Sequence, residues 1–448
     1  MNAPATPPRA ELARTLGVTD LVLLVIGTVI GSGIFIVPAV VLRQVQGSLS
    51  LAVLVWVLAG VLSLLGALTY GELGAGRPDA GGLYAYIRDA FGPLPAFLYG
   101  WTKFFVIASG SAATLAVAFS SYLKEFVALS PIQAKMVAVA MLIVIGFINV
   151  RGTRRSAGVQ NWSTGVKLGA IVIMSVLLLG RGSGLSGAMT ALPTFTPSLL
   201  TGLGLSLIGV LWAYEGWQYV TFAAGETRDA QRTFPLAITV GTALLIVLYL
   251  LANLGYVAAL GVTGVQETER VAATAVNAVF GPVAAKGITV IILVAMFSAT
   301  NGLTLTAPRL YFSMARDGVF FAKLGELHPR FGTPAFAIIA GTVWASLLAL
   351  TGTFEQLLTY VVFSGWIFYG LGAMSLFVFR RRSGPPATFR VPGYPVTPLL
   401  FVGASAAIVL NAVITAPAQA LIGLGAVLAG IPAFLYWRRG RQGSPPPR

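Results

Sequence analysis

Gly27-Thr28-Val29-Ile30-Gly31-Ser32-Gly33-Ile34-Phe35 lies in the middle of the first long apolar stretch, and its three glycines decide how the chain is read. Glycine costs a helix about 1 kcal/mol relative to alanine, so a helix that served only as an anchor would avoid this cluster. Leu211-Trp212-Ala213-Tyr214-Glu215-Gly216-Trp217 is a second such place, where a carboxylate and a glycine fall at comparable depth in a later apolar stretch. An acidic side chain inside a membrane is costly and marks function by default. Backbone leaves helical geometry at membrane depth only where protein or a cavity satisfies it. A break then frees N–H groups at the start of one half-helix and carbonyls at the end of the other, ready for a carboxylate and a cation respectively. Two facing breaks would hold a zwitterion. Taken alone, Gly31-Ser32-Gly33 also fits close helix packing; its pairing with Glu215 favours the break.

The rest of the chain has the composition of a membrane protein. Of 448 residues, 56% are apolar and 10% charged, with a mean hydropathy of +0.85, whereas soluble domains carry roughly 25% charged residues. Spans of about 20 residues, enough to cross roughly 30 Å of hydrocarbon, are expected near 18–43, 48–73, 94–122, 134–150, 159–180, 198–224, 235–260, 283–312, 334–352, 357–379, 396–416 and 418–437. The expected fold is an all-α polytopic membrane protein of 12 transmembrane helices, with helices 1 and 6 discontinuous. Twelve spans put both termini on one side. Of the 29 basic residues, 21 then fall on that side and six on the other, with Lys103 and Lys167 inside spans. The positive-inside rule puts the basic side in the cytoplasm, so the net charge of +15 reflects topology rather than nucleic-acid binding. Breaks at matching positions of two halves are the mark of an inverted repeat. The expectation is one transmembrane transporter domain over 1–437, with repeat one at about 18–180, repeat two at about 198–379 and two extra helices at about 396–437. A disordered cytoplasmic tail at 438–448 would follow.

Several chemistries drop out. The chain has no cysteine, which removes disulfide-linked partners, thiolate metal sites and cysteine nucleophiles. Its single histidine, His328, cannot build a metal site, and no HExxH or GxxxxGK[ST] pattern occurs. No metal, cofactor or catalytic cluster is expected. Gly202-Leu203-Gly204 and Gly423-Leu424-Gly425 lie inside spans and fit helix packing rather than a nucleotide loop. The first apolar stretch has no A-x-A site, so no cleaved signal peptide is expected. Six lysines against 23 arginines suit a GC-rich bacterial genome, hence a bacterial inner membrane. A channel would require a continuous filter or charged ring, an enzyme a clustered nucleophile or metal, and a receptor a soluble output domain.

At these residues the chain resembles the amino acid–polyamine–organocation superfamily of permeases, specifically its L-type amino acid transporter branch. Gly31-Ser32-Gly33-Ile34-Phe35 is similar to the branch's first-span motif, and Leu211-Trp212-Ala213-Tyr214-Glu215-Gly216-Trp217 to its sixth-span motif. Gly81-Gly82-Leu83-Tyr84-Ala85-Tyr86 with Phe91-Gly92, the run Asn301-Gly302 to Ala315-Arg316-Asp317-Gly318, His328-Pro329-Arg330, and Val391-Pro392-Gly393-Tyr394-Pro395 follow in the family's order. The resemblance implies a five-plus-five inverted repeat with an amino acid held between the breaks. Its carboxylate would meet backbone around Ser32, Gly33 and Ile34, and its ammonium carbonyls near Ile30, Trp212, Ala213 and Glu215, beside Gly216. Trp212 would close over the substrate, and Ser111 would line the pocket. Relatives often carry Arg-Pro just before that serine, where this chain has Ala108-Ser109.

The resemblance also implies that Lys167 stands in for the sodium ion of sodium-coupled relatives, bridging the first break to Ser298, Thr300 or Asn301. Transport would then be sodium-independent; snorkelling to the headgroups is the other reading of Lys167. Three roles stay open for Glu215: pairing with a cationic substrate, taking up a proton, or capping the broken helix. Lys103 has no evident partner and is expected to snorkel or face the cytoplasmic end. Glu72, Asp79 and Asp89 with Arg77 and Arg88 suggest a solvated or gate-forming cluster. The leading expectation is exchange of neutral amino acids by alternating access, with proton-coupled uptake of cationic amino acids or polyamines as the alternative.

Overall fold

Hydrocarbon offers the backbone no partner outside its own segment, so each apolar stretch closes its hydrogen bonds as a helix. The computed structural model describes residues 16–78, 81–186, 188, 193–382 and 388–442. Among them the regular structure is helical apart from an isolated bridge between Leu16 and Thr227. Ten helices are individually long and apolar enough to cross a membrane, and the bent pair Val18–Val29 and Gly33–Gln44 makes an eleventh span. Ala335–Thr351 falls at the ninth expected position and has 17 residues. It rises about 26 Å at 1.5 Å per residue, the short end of what can span.

The spans are thus one (Val18–Val29 and Gly33–Gln44), two (Leu49–Gly76), three (Pro93–Leu123), four (Pro131–Val150), five (Ser156–Arg181) and six (Pro197–Glu226). Seven (Ala230–Gln266), eight (Pro282–Arg316), nine (Ala335–Thr351), ten (Phe354–Arg381), eleven (Val396–Thr415) and twelve (Pro417–Arg438) complete the set. Local chemistry starts several of them. The hydroxyls of Ser48, Ser130, Thr196 and Thr353 accept the N–H groups of Leu51, Gln133, Leu199 and Gln356 at the starts of spans two, four, six and ten. Each satisfies one of the donors a helix start leaves without an intrahelical partner.

Three details differ from the sequence expectation. Span three carries a π turn over Lys103–Ala108, and the Ser109 hydroxyl donates to the Phe104 carbonyl five residues back at 2.7 Å. Span seven runs past residue 260 to Gln266 through a bend at Gly261, whose φ is +68°. The final helix continues to Gln442, where a tail from 438 was expected; arginines are good helix formers and suit a helix C-terminus. Residues 443–448, Asp79 and the N-terminal tail lie outside the described residues.

Span one sits at the centre, packed against spans five, seven and eight, and its first half meets the second half of span six. Span three packs on spans four, eight, nine and ten. The two interrupted helices therefore face each other inside a cage of continuous ones.

Candidate functional site

Span one stops being helical at Ile30, which is extended (φ −72°, ψ 91°), and resumes at Gly33 after a bend of 45°. Span six is α-helical over Pro197–Ala213, turns at Gly216 with φ +127°, and continues as a 3-10 helix over Trp217–Glu226. A φ of +127° is open to glycine at no steric cost. The two breaks touch twice. A Cβ on Gly33 would sit 2.5 Å from the Ala213 Cα, and a Cβ on Gly216 would sit 2.9 Å from the Thr28 carbonyl oxygen. The Thr28 hydroxyl also donates to the Gly216 carbonyl at 3.1 Å. Packing and interruption are here the same fact: small residues let the broken backbones cross.

A small cavity lies at this crossing, lined by Thr28, Val29, Gly31, Ser32, Gly33, Ser111, Leu115, Trp212, Glu215, Tyr219 and Leu303. About 20 Å³ of it is open to the centres of water molecules, enough for water and too little for an amino acid. Of the expected binding residues, Ser32, Gly33, Ser111, Trp212 and Glu215 line it, while Ile30, Ile34, Ala213 and Gly216 are not among its lining residues. The Ser32 Oγ is buried without a hydrogen-bond partner among the described residues. The Ser111 hydroxyl donates to the Ile107 carbonyl at 2.7 Å. Gly33 and Ile34 open a half-helix, so their N–H groups belong to the unpaired positive end. Trp212 packs edge-on against Phe354 of span ten, ring centroids 6.4 Å apart.

Lys167 is fully buried. Its ammonium donates to the carbonyls of Gly27 at 2.6 Å and Ile30 at 2.7 Å, and reaches that of Ala295 in span eight at 3.5 Å. It does not snorkel. The span-eight atom it reaches is a backbone carbonyl one turn before the three side chains expected there. Ser298 instead accepts from Ser163 at 2.8 Å, and the Thr300 hydroxyl donates to the Met296 carbonyl at 2.9 Å. Asn301 accepts from Asn149 at 2.9 Å and donates to Gln160 at 3.2 Å. Ser298 and Asn301 thus tie span eight to spans four and five, while the Thr300 bond stays within span eight.

Three donors converge on one oxygen of Glu215. The Tyr369 hydroxyl at 2.6 Å, Gln218 Nε2 at 2.7 Å and the Tyr219 hydroxyl at 2.8 Å all donate to Oε1. Such convergence suits an ionised carboxylate, an acceptor-only group. Lys103, expected at the cytoplasmic end or the headgroups, is fully buried on span three. Its ammonium lies 3.6 Å from the centre of the Tyr219 ring. The sequence also gave no hint of Tyr249. Its hydroxyl, on span seven, lies 3.0 Å from the Ala213 carbonyl and 3.2 Å from that of Val29, joining the ends of both first half-helices.

Away from the cavity, Glu72 takes two bonds from Arg380 (2.8 and 2.6 Å) and one from the Val391 N–H at 2.7 Å. Asp89 pairs with Arg77 and Arg88, and Arg88 also reaches Asp317 at 2.7 Å. The expected acid–base cluster is thus a bonded lattice joining spans two, eight and ten to the short helix Leu83–Phe91.

Interrupted helices crossing beside a small cavity, inside a bundle of long apolar helices, define a multi-pass membrane transporter. The amino acid permease family model matches residues 16–427, and the chain belongs to that family. It is 32% identical over 425 residues to the b(0,+)-type amino acid transporter 1 of Homo sapiens, covering 92% of this chain and 85% of that one. It is 29% identical to the serine/threonine exchanger SteT of Bacillus subtilis (strain 168), covering 97% of this chain and 98% of that one. To the cystine/glutamate transporter of Homo sapiens it is 30% identical, covering 97% and 88%.

Proposed function

We propose that this chain is a sodium-independent exchanger of neutral amino acids that works by alternating access. The observation that carries the reading is the Lys167 ammonium on the carbonyls of Gly27 and Ile30. Carbonyls at the end of a half-helix carry partial negative charge and call for a cation. A covalently attached ammonium supplies it permanently, so no dissolved ion is required to complete the first break. The substrate carboxylate would rest on the N–H groups of Ser32, Gly33 and Ile34. Its ammonium would take second lone pairs on carbonyls of the opposite ends, those of Ile30, Trp212 and Ala213, with Glu215 and Gly216 beside them. Ser111 would line the wall and Trp212 the lid. Ser298 and Asn301 would hold span eight in register with Lys167 on span five, with Thr300 between them bonded within its own helix.

Neutral substrates are favoured because one oxygen of Glu215 already accepts from three donors of the protein itself. The serine/threonine exchanger among the relatives supports exchange as the mode of transport. The two halves, about 18–180 and 198–379, would be inverted repeats that rock about the crossing, with the helices at 396–437 as an addition. The excess of basic residues on one side of the spans supports cytoplasmic termini, and the bundle would then lie in a bacterial inner membrane. The protein would move its substrate unchanged and act on no bond.

Counterflow in proteoliposomes tests this. Labelled neutral amino acid outside should accumulate only when unlabelled amino acid is inside, equally in sodium and choline buffers. Accumulation driven by a proton gradient in vesicles without internal substrate would favour proton-coupled uptake of cationic substrates instead. One observation speaks for that second reading: Glu215 lines the cavity, and its Oε2 takes no hydrogen bond among the described residues.

A further inference from the structure

Among the described residues, six charged side chains are buried: Glu72, Lys103, Lys167, Glu215, Glu226 and Arg309. A buried charge persists only when something compensates it. Glu72 has Arg380, Glu226 has Arg309, and Lys167 has carbonyl oxygens. That leaves Lys103, which has no bonded partner among the described residues, and Glu215, whose three donors are all uncharged side chains. The Lys103 ammonium has no hydrogen-bond partner among the described residues and lies on the face of Tyr219, 3.6 Å from the ring centre, with Phe222 at 5.7 Å. The hydroxyl of that same Tyr219 donates to Glu215. A phenol that donates to a carboxylate gains electron density on its ring, which strengthens the attraction for a cation on its face.

We propose that Lys103 is the internal counter-ion of Glu215, coupled to it through Tyr219, and that this pairing sets the selectivity of the cavity for uncharged side chains. The inference rests on the amino acid transport reading above. An acid in a substrate cavity ordinarily invites a cationic side chain. Here the compensating charge is built into span three, on the far face of a residue that lines the cavity. A cationic substrate side chain would add unpaired charge to a neutral site; an uncharged one would not. The π turn that begins at Lys103 is part of the device, because one extra residue per turn alters which side chains of span three face inward.

Competition by lysine, aspartate and leucine against labelled substrate tests this in wild type, Lys103→Met, Glu215→Gln and the double variant. Lys103→Met should raise the affinity for lysine relative to leucine by roughly 5- to 150-fold, the span of a charge-assisted contact. Glu215→Gln should raise that for aspartate instead. The double variant should return to wild-type ranking. Melting of the four purified proteins is read alongside: each single variant should melt lower than the double. An unmoved lysine-to-leucine ratio in folded Lys103→Met, or a double variant less stable than both singles, overturns the inference. Wild-type protein that neither binds nor carries amino acids fails the transport reading, while the melting cycle still judges the pair.

Discussion

Arg309 of span eight and Glu226, the last residue of the 3-10 half of span six, form an ion pair whose side chains are 8% and 6% exposed. The second Arg309 nitrogen reaches the other carboxylate oxygen at 3.2 Å, a two-point grip that fixes orientation as well as distance. Next to it, the Leu16 N–H donates to the Glu226 carbonyl and the Arg228 N–H to the Leu16 carbonyl. One end of span six is thereby latched to span eight and to the lead-in of span one.

Breaking one side of this pair strands the other charge. Arg309→Met should destabilise the protein by about 3–5 kcal/mol, the cost of an uncompensated buried charge. Arg309→Met with Glu226→Gln should cost clearly less than the sum of the two single changes. Unfolding titrations of the three variants in detergent measure both quantities, and strictly additive losses would mean that the pair does not act as a unit.

Gly33 has no room for a side chain. A Cβ would meet both the Cα (2.5 Å) and the Cβ (2.6 Å) of Ala213, so Gly33→Ala must push the two breaks apart. An overpacking cost of about 1–3 kcal/mol is expected. Gly33→Val should abolish uptake while the protein still reaches the membrane. Wild-type uptake by Gly33→Val would remove this contact from the transport site.

Gly216→Ala combines strain with collision. Its φ of +127° disfavours any side chain, and the Thr28 carbonyl stands 2.9 Å from the new Cβ. A loss of about 1–3 kcal/mol is expected from the backbone alone. Gly403→Ala in span eleven is the control: among the described residues nothing lies within 4 Å of its Cβ. It should stabilise by about 0.5–1 kcal/mol as an ordinary helical glycine replaced by alanine. Thermal melts that rank the two variants the other way would contradict this account of the break.

Lys167→Met keeps the volume and removes the charge that holds the carbonyls of Gly27 and Ile30. Uptake should fall by about tenfold or more, equivalent to 1.4 kcal/mol or greater at the site. In the wild type, replacing sodium by choline should leave uptake unchanged; a strict sodium requirement would overturn the stand-in role of the ammonium.

Much of this protein is legible one residue at a time. Glycines in mid-membrane, a carboxylate at matching depth and long apolar stretches between charged joints announce broken helices within a bundle, because hydrocarbon penalises each of them locally. Gly31 to Gly33 and Glu215 to Gly216 could be found that way, and Lys167 with the help of a family resemblance. What side-chain identity does not encode lay out of reach. The contact of Lys167 with span eight is a backbone carbonyl, Ala295, and every residue has one. Tyr249 joins the two breaks, yet it resembles any other tyrosine in an apolar run. Lys103 looked fit to snorkel, since nothing in its neighbours tells of a π turn or of a ring 116 positions later in the chain. Composition and periodicity determine which segments leave water and where a helix is weakest. The pairing of Lys103 with Glu215 and of Arg309 with Glu226 depends on which faces meet when the spans pack, and only the tertiary structure decides that.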